Sequence, residues 1–235
     1  MIPKIIHQIW IGPNKRPNCW MNTFKIDYIK MNPSWKYKLW NEENIAELFT
    51  NFPVIKQIYE SEKTYNGKSD ILRYLILYKH GGVYVDADSV WINKKSLDPL
   101  LIEASKNNFF VAFEPKMKLL CGGVMGSSIN NNYVKKLIDT IIRMVKRDNS
   151  DKVYLVDYRR MRNVNGAYKQ IGPGLITRLY KNNKEITKFP PHYFYPHGWH
   201  SKKNSTNDHL KLNLSNESYM FQYGYTTNKL DKLIN

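Results

Sequence analysis

The chain has 235 residues, of which 42% are hydrophobic and 14% aromatic, and its 36 lysine and arginine side chains outnumber 20 aspartate and glutamate side chains. This length fits one globular domain with a full α/β core, so we predict a single domain over residues 1–235. Two cysteines are too few for a disulfide framework or a cysteine metal cluster, and no stretch approaches the roughly 20 apolar residues of a membrane helix. We therefore predict a cytoplasmic chain without a transmembrane anchor.

The positive charge lies mainly in the second half of the chain. Residues 1–115 carry 15 basic and 12 acidic side chains, a net charge of +3, whereas residues 116–235 carry 21 and 8, a net charge of +13. Such a surface can attract nucleic acid, an anionic membrane, or anionic sugars and nucleotides. The sequence contains no nucleic-acid-binding motif, so we expect no specific nucleic-acid partner. A basic polyanion-binding protein stays open as an alternative function.

The first part of the chain predicts strands that alternate with helices. Residues 5–11 predict the first strand, in which His7 is expected to be a buried, hydrogen-bonded histidine. Four further elements follow, namely a helix over residues 19–31, a strand over 35–40 and helices over 42–49 and 54–59. This order indicates a mostly parallel sheet that is covered on both faces.

The next stretch, residues 69–88, predicts a helix, a stop and a buried strand that ends in two carboxylates. Ser69 is the expected N-cap, and the pair of glycines at 81 and 82 can end the helix in a left-handed conformation. Side chains alternate along the strand that we predict over residues 83–88. Tyr84, Asp86 and Asp88 are therefore expected on the same face.

Two neighbouring carboxylates predict a ligand, because holding them together is costly unless a cation or hydrogen-bond donors lie between them. On the preceding helix Asp70 and Arg73 are three residues apart, so they share a face and can add an acid and a cation to the same crevice. The alternative is a set of surface charges and a solvated turn. We favour a binding site, because the whole pattern of Asp-x-x-Arg and Gly-Gly-x-Tyr-x-Asp-x-Asp is far more specific than either acid alone.

This pattern, together with the run Ile-Ile-His-Gln-Ile-Trp-Ile-Gly at residues 5–12, resembles glycosyltransferase family 32, the group with the DXD sugar-binding motif. The resemblance implies an α/β fold of the GT-A type, a Rossmann-like nucleotide-sugar fold with a mostly parallel central sheet. It also implies transfer of a hexose from a UDP- or GDP-sugar donor to a hydroxyl of a glycan or protein-linked acceptor. Retention of the anomeric configuration is expected.

The resemblance implies roles for individual residues. Ile9 and Trp10 are expected to hold the nucleotide base, where stacking on an indole contributes ~1–3 kcal/mol. The alternative for Trp10 is a simple core residue. The remaining expected donor-binding residues are Asp70, Arg73, Tyr84 and Asp86, and the expected catalytic residues are Arg73, Asp86 and Asp88. Asp88, with Asp86, is expected to bind Mn²⁺ or Mg²⁺, which neutralises the departing pyrophosphate together with Arg73.

The second half of the chain predicts fewer elements. Residues 109–113 predict a strand, Met125 begins a short connection, residues 133–146 predict a long helix and residues 219–223 a late strand. The glycine-rich run 121–126 could let the backbone approach the donor sugar. Residues 171–177 resemble the Gly-Pro segment that opens a late helix in the family, and an ordinary turn is the alternative.

Three features of this half could complete the site. The basic loop 159–162 with Lys169 could contact an anionic acceptor, although a solvated charge run is favoured, and the aromatic loop 190–200 could wall the acceptor site. Many family members carry a histidine in the late strand near the metal. Gln222 stands there in this chain, so the third ligand comes from the Gln222 region, from His197, or from phosphate and water.

A different enzyme class also fits part of the pattern. Phosphatases of the haloacid-dehalogenase type use Asp-x-Asp-x-Val after an apolar strand, and residues 86–90 match that string, with Asp86 as the nucleophile. These enzymes need a downstream acidic pair, for which only Asp157 is available after the apolar run at residues 153–156. The phosphatase is therefore kept as an alternative.

Overall fold

The computed structural model describes residues 1–116, 118–147, 153–155, 170–198 and 205–234. Its first half follows the predicted order of strands and helices. The elements are β1 (Ile5–Ile9), α1 (Asn18–Asn22), a π-helical stretch (Thr23–Tyr28), α2 (Ile29–Met31), β2 (Lys36–Trp40), a 3₁₀ turn (Ile45–Phe49), α3 (Pro53–Ser61), α4 (Tyr65–His80), β3 (Gly82–Val85) and β4 (Ser89–Trp91). The predicted helix over residues 42–49 is thus only a short 3₁₀ turn.

The second half completes the sheet and adds a C-terminal cover. Its elements are α5 (Asp98–Glu103), β5 (Phe109–Phe113), β6 (Leu120–Ser127), α6 (Asn132–Arg143), β7 (Val145–Arg147), β8 (Val153–Leu155), α7 (Pro173–Tyr180), β9 (Thr187–Phe189), β10 (Met220–Gln222), α8 (Tyr225–Asn228) and α9 (Asp231–Ile234), with 3₁₀ turns at Ala104–Lys106, Pro191–Tyr193 and Asp208–Lys211. The predicted late helix after the Gly-Pro segment is confirmed as α7.

In the part of the chain that the structure describes, the central sheet has six strands in the order β2-β1-β3-β6-β5-β9. β1 is parallel to β2 and β3, and β5 is parallel to β9, whereas β6 is antiparallel to both of its neighbours. Five strands therefore point one way and one points the other way. The prediction of a mostly parallel sheet is confirmed.

The side chains of the sheet alternate between two cores. On β3, Tyr84 packs with α3, α4, α6 and α7 on one face, while Val83 and Val85 pack with the π-helical stretch and α5 on the other. Burial of each side chain removes apolar surface from water on both faces, so the sheet is covered as predicted. A smaller third core lies between β4, β10 and the C-terminal helices.

The structure corrects the prediction for the glycine-rich run. Met125 does not begin a connection, because the whole segment Leu120–Ser127 is the buried strand β6, hydrogen-bonded to β3 and β5. Its register against β5 shifts between Val111 and Ala112, so the glycine pair 122–123 forms an irregular stretch of β6. Such a bulge re-aims the backbone locally. Here it brings main chain close to the end of β3.

Among the described residues, no helix combines the length and the apolar character that crossing a bilayer requires.

Candidate donor-binding site

Helix α4 carries two of the predicted site residues. It begins at Tyr65, and Thr64 is its N-cap, with Oγ1 accepting a hydrogen bond of 3.1 Å from the backbone nitrogen of Gly67. The prediction of Ser69 as the N-cap is therefore wrong. The first turn is stabilised further because Glu62 accepts hydrogen bonds from both the backbone nitrogen and the hydroxyl of Thr64. Asp70 and Arg73 consequently lie inside the helix, one turn apart and both buried.

The turn after α4 is fixed by a buried histidine. Gly81 and Gly82 have positive φ angles of 61° and 90°, which glycine adopts without steric cost. His7 Nε2 lies 3.0 Å from the Gly81 carbonyl oxygen, and Trp40 Nε1 donates to His7 Nδ1 over 3.1 Å. Burial lowers the pKa of His7 to about 3, so the ring is neutral and donates from Nε2. The prediction of a satisfied buried histidine is confirmed.

The two acids of the DXD motif lie in a turn. Strand β3 ends at Val85, and the backbone nitrogen of Ser89 donates to the Asp86 carbonyl oxygen over 3.1 Å. The predicted strand over residues 83–88 is therefore too long by three residues. A turn can bring side chains at positions i and i+2 together without strand alternation, so the predicted convergence of Asp86 and Asp88 has a different local cause.

Gln222, at the end of β10, joins the two acids. Its Nε2 donates to Asp86 Oδ2 over 2.8 Å and to Asp88 Oδ1 over 3.1 Å. The other oxygens are also bonded, since Tyr84 donates its hydroxyl to Asp86 Oδ1 over 2.7 Å and the backbone nitrogen of Tyr225 donates to Asp88 Oδ2 over 2.6 Å. Hydrogen bonds of this kind stabilise carboxylates that otherwise repel each other. The acids form one connected cluster with three other elements.

Arg73 links the helix to the acids. Its Nη2 lies 3.1 Å from Asp70 Oδ1 and 3.4 Å from Asp86 Oδ1, and the guanidinium carbon stands 4.5 Å from the centre of the Tyr84 ring. Burial by itself lowers the pKa of Arg73, but Tyr84 and the acids Asp70 and Asp86 raise it above its ordinary value. The arginine is therefore a fixed, permanently charged cation beside the DXD motif.

Two acids in the cluster hold protons more tightly than usual. Burial raises the pKa of Asp70 to about 6, with Arg73 opposing and Asp86 adding to the rise. Burial likewise raises the pKa of Asp88 to about 6, helped by the nearby Asp86 and opposed by the hydrogen bonds from Tyr225 and Gln222. Clustering of like charges in a partly desolvated crevice is typical of sites that receive a cation.

Glycines make room for three of the charged side chains. A Cβ atom on Gly122 would lie 2.6 Å from Arg73 Nη1, and one on Gly123 would lie 2.8 Å from Asp86 Oδ2. Gly172, the N-cap of α7, has the carboxylate of Asp70 against its α-carbon in the same way. The bulge of β6 and the start of α7 are therefore the floor of the site. The backbone at Gly122 and Gly123 thus lies close to Arg73 and Asp86, whereas the predicted approach of residues 121–126 to the donor sugar stays a prediction.

The predicted nucleotide-binding pair lies beside this cluster. Trp10 follows β1 directly, is only partly buried and donates from Nε1 to the Asn14 carbonyl oxygen over 2.9 Å. Ile9 is 4% exposed and packs in the core beneath it. Because β1 and β3 are adjacent and parallel, the ends of both strands meet at one edge of the sheet. The base-binding role of both residues stays a prediction.

Two contributors to the site come from the C-terminal segment. Gln222 was expected as one of several possible ligands, and the structure places it on both acids, whereas the ring of His197 packs near Phe221, with 6.4 Å between ring centres. Tyr225 was missed entirely. Local patterns carry no signal for it, since it lies 137 residues from Asp88 in the sequence. Pairing of β10 with β4 is what brings both residues to the motif.

The position between Asp86 and Asp88 is where a divalent cation has to fit. Both carboxylates point at this one position, which the amide nitrogen of Gln222 occupies. Rotation of the Gln222 amide by about 180° puts its oxygen at the same position. Oxygen ligands are those that Mg²⁺ and Mn²⁺ prefer. The residues therefore fit a hard cation held by Asp86 and Asp88. Within the described ranges, no group of three or more His, Cys, Asp or Glu residues forms a metal cluster.

Several predicted contributors lie outside the described residues. They are the basic loop 159–162, Lys169, Asp157 and the last two residues of the loop 190–200. The described part of the latter loop places Tyr195 in the site, because a Cβ atom on Gly123 would lie 3.0 Å from the Tyr195 hydroxyl oxygen. A role of this loop at an acceptor stays a prediction.

Comparison with known proteins shows which family this chain resembles in sequence. The family described as glycosyltransferase sugar-binding region containing DXD motif matches residues 17–106. An uncharacterised glycosyltransferase of Acanthamoeba polyphaga mimivirus is 31% identical over 211 residues, which cover 87% of this chain and 77% of that protein. Inositol phosphoceramide mannosyltransferase 3 of Schizosaccharomyces pombe is 42% identical over 101 residues, 43% of this chain. This chain spans only 27% of the length of that yeast protein.

The fold has solved counterparts. The UDP-bound glycosyltransferase domain from the YGT toxin superposes with a TM-score of 0.51 over 80% of this chain and 79% of that chain, at 12% sequence identity. An identity this low shows the fold alone. The fold is of the GT-A type, as the sequence predicted.

Proposed function

The chain belongs to glycosyltransferase family 32, the enzymes with the DXD sugar-binding region, and on that premise we propose that it moves a hexose from a nucleotide-sugar donor to a hydroxyl acceptor. The single observation that carries the proposal is the convergence of Arg73, Asp86 and Asp88 in one crevice at the carboxyl ends of the parallel strands. A nucleotide sugar needs charge compensation at its pyrophosphate, and this crevice supplies it.

The donor is expected to lie across the edge of the sheet from Trp10 to Arg73. Its base stacks on the indole of Trp10, its ribose lies near Tyr84 and Asp86, and its sugar and phosphates reach Asp70 and Arg73. The permanent charge of Arg73 supports this order, because it is held by two acids and needs no reorganisation when the leaving group becomes more negative. The nucleotide of the donor is expected to be UDP or GDP.

Asp86 and Asp88 are expected to hold Mn²⁺ or Mg²⁺. When bound, the ion neutralises the developing charge of the nucleoside diphosphate. The chain's own part is to keep both acids aimed at one position through Gln222, Tyr84 and the Tyr225 backbone nitrogen. The raised pKa of Asp88 predicts that metal-dependent activity falls as the pH drops below about 6, because a protonated carboxyl is a poor ligand.

Transfer is expected to retain the anomeric configuration. No pair of carboxylates in the described part of the site stands out as nucleophile and general acid, since Asp70 and Asp86 are both tied to Arg73. We propose front-face transfer, in which the acceptor oxygen bonds to the anomeric carbon as the bond to the leaving phosphate breaks. The acceptor's proton passes to that phosphate oxygen, so the charges balance.

Mannose is the first donor sugar to test, and an inositol phosphate head group is the first acceptor. Yeast relatives are named inositol phosphoceramide mannosyltransferases and mannosyl phosphorylinositol ceramide synthases. The net charge of +16 favours an anionic acceptor by long-range attraction. Other glycan or protein-linked acceptors remain in the same proposal.

A donor panel tests the proposal. Purified protein is incubated with UDP- and GDP-linked hexoses and Mn²⁺, and release of nucleoside diphosphate is followed with and without acceptor. We expect slow hydrolysis of one donor without acceptor and no release with EDTA. The anomeric proton coupling of the product then reports the configuration, and an inverted product contradicts front-face transfer.

The two alternative functions, a phosphatase and a polyanion-binding protein, predict different experimental results. A phosphatase that uses Asp86 as its nucleophile releases inorganic phosphate from simple phosphomonoesters and is trapped by beryllium fluoride. A polyanion-binding protein binds tightly at low salt and loses that affinity steeply as salt rises. Family membership supports neither alternative. The single domain over residues 1–235 and the cytoplasmic location stay predictions, which limited proteolysis and fractionation test.

A further inference from the structure

Tyr225 touches both halves of the donor site, and we propose that it couples them, so that a divalent ion at Asp88 and a nucleotide base at Trp10 each strengthen the binding of the other. The inference rests on the proposed function, since it needs a metal and a base at these two places. It goes beyond that function by assigning a positioning role to a residue of the C-terminal segment.

The first contact of Tyr225 is with the metal-binding acid. Its backbone nitrogen donates to Asp88 Oδ2 over 2.6 Å, and the backbone nitrogen of Tyr223 donates to the Asp88 carbonyl oxygen over 2.9 Å. The backbone of residues 223–225 is therefore hydrogen-bonded to both the side chain and the main chain of Asp88. A cation that binds the Asp88 carboxylate changes the direction or the charge of the oxygen that this N–H contacts.

The second contact is with the base-binding tryptophan. The rings of Tyr225 and Trp10 meet edge to face, with centres 5.5 Å apart and planes at 79°. The Tyr225 hydroxyl bonds the side chain of Asn14, and the backbone carbonyl oxygen of Asn14 accepts the hydrogen bond from Trp10 Nε1. Tyr225 and Asn14 therefore both contact Trp10. A shift of Tyr225 changes the position of the surface on which the base is expected to stack.

The surroundings of Tyr225 suit transmission between the two contacts. Tyr223 is fully buried and stacks on Trp20 with ring centres 4.3 Å apart, so the chain is anchored just before the coupling residue. Gly224 then turns the chain with a left-handed conformation, and Tyr225 begins the short helix α8. The Tyr225 side chain is only partly buried, but it packs against the same third core and meets the Trp20 ring edge to face, with centres 6.3 Å apart. A small movement at Asp88 can therefore be carried to Trp10.

Nucleosides separate this coupling from direct chelation. Uridine and guanosine lack the phosphates that chelate Mn²⁺ most strongly, and the part of the Mn²⁺ effect on their affinity that passes through the protein is the part that a substitution at position 225 removes. Equilibrium dialysis measures nucleoside binding with and without saturating Mn²⁺, and electron paramagnetic resonance of free Mn²⁺ measures metal binding independently. For the wild type we expect Mn²⁺ to tighten binding of one nucleoside on the order of 10-fold, within the usual range of coupling between sites.

Substitution at position 225 tests the residue itself. Tyr225→Ala keeps the N–H to Asp88 but removes the ring from Trp10, so we expect Mn²⁺ binding close to wild type and a coupling factor near one. Tyr225→Phe keeps the N–H to Asp88 and the ring against Trp10 but loses the hydrogen bond to Asn14, so it should keep most of the factor. Thr226→Ala is the matched control, because Thr226 is exposed and its hydroxyl donates to Asn66 Oδ1 over 3.3 Å, away from both Asp88 and Trp10. It should couple like the wild type.

Each outcome decides the matter. A wild type without coupling, or a Tyr225→Ala variant that couples as well as the wild type, overturns the inference. If Tyr225→Ala does not melt cooperatively, Tyr225→Leu, which fills the volume, takes its place with the same expectation. A wild type that binds no nucleotide sugar even with Mn²⁺ overturns the proposed donor site, and the role of Tyr225 falls with it. Binding of the donor without coupling removes the role of Tyr225 alone.

Discussion

Replacing Asp88 with asparagine is expected to stabilise the ligand-free protein at neutral pH. The carboxyl has a pKa of about 6 in the folded state, whereas a carboxyl in an unfolded chain titrates near ~3.9. A difference of about 2 pKa units corresponds to ~3 kcal/mol by which the charged form disfavours folding. Because Asp88 is partly exposed to solvent, and because asparagine can accept only one of the two hydrogen bonds that the carboxylate accepts, we expect a gain of about 1 kcal/mol in the free energy of unfolding.

The sign of this effect changes with pH in a definite window. An acid with a raised pKa binds its proton in the folded state first, so wild-type stability contributed by Asp88 is complete below about pH 4 and is lost as the pH rises through about 6. Asparagine stays neutral at every pH. The advantage of Asp88→Asn should therefore be full at pH 7.5 and should disappear by about pH 4.

Urea denaturation at pH 7.5 and pH 4 measures the effect. Asp27→Asn is the control, because Asp27 is an exposed acid on the helical segment after α1 and lies away from the cluster. The same variant should lose the rise in melting temperature that a nucleotide sugar with Mn²⁺ gives the wild type. Unchanged or lower stability of Asp88→Asn at pH 7.5, with an unchanged denaturant slope, refutes the reasoning, as does a gain that persists at pH 4.

Four further outcomes are expected. Trp10→Ala should weaken nucleotide binding by about 10-fold, in line with a lost stacking contact, while unfolding stays cooperative in circular dichroism; unchanged affinity per folded molecule means that Trp10 is core. Arg73→Lys should lower kcat on the order of 10²-fold with a smaller change in KM, because the leaving group loses a fixed cation. The explanation is contradicted if the substitution weakens the binding of a ground-state inhibitor by the same factor as it lowers kcat. Gly123→Ala should impair Mn²⁺ binding through Asp86. Gly126→Ala, whose added methyl group has atoms of the Phe110 ring as its nearest neighbours, should lower the melting temperature but leave Mn²⁺ affinity per folded molecule unchanged. In the wild type, His7 stays neutral in the folded state while it takes up a proton in the unfolded chain, so the free energy of unfolding decreases as the pH falls from about 6.5 to about 3. His7→Gln should make this decrease smaller.

The sequence predicted the members of the site better than their local structure. Asp70, Arg73, Tyr84, Asp86 and Asp88 do form one cluster, and each was named from the spacing of the motif. The expected N-cap and the expected length of the strand were both wrong. Spacing within about 20 residues limits which side chains can meet, whereas the ends of a helix or strand are decided by differences of about 1 kcal/mol in capping and pairing. Thr64 prevails over Ser69 because Glu62 holds it in place.

The missed strand β6 has a different cause. Glycine is unfavourable in strands, so the run Cys121-Gly122-Gly123 indicates a loop when only local propensity is considered. In the structure β6 lies between β3 and β5, and hydrogen bonds to both neighbours stabilise the strand despite the low strand propensity of its glycines. The glycines are explained by tertiary contacts, because Arg73 and Asp86 occupy the space that side chains at 122 and 123 would need. A rule that penalises glycine in strands therefore fails where a strand forms the floor of a charged site.

Gln222 shows how far a functional argument can go beyond the motif. The sequence indicated only that the residue near the late strand differs from the family's histidine. The structure adds that its amide donates to both acids, so the ligand-free site is held together by a neutral group in the position where a cation would be shared. A neutral donor cancels less of the repulsion between two carboxylates than a divalent ion does. The raised pKa of Asp88 is consistent with the repulsion from Asp86 that is left uncancelled. Binding of a cation then relieves a cost that folding has left in place, which is the physical reason to expect metal and donor to stabilise this protein together.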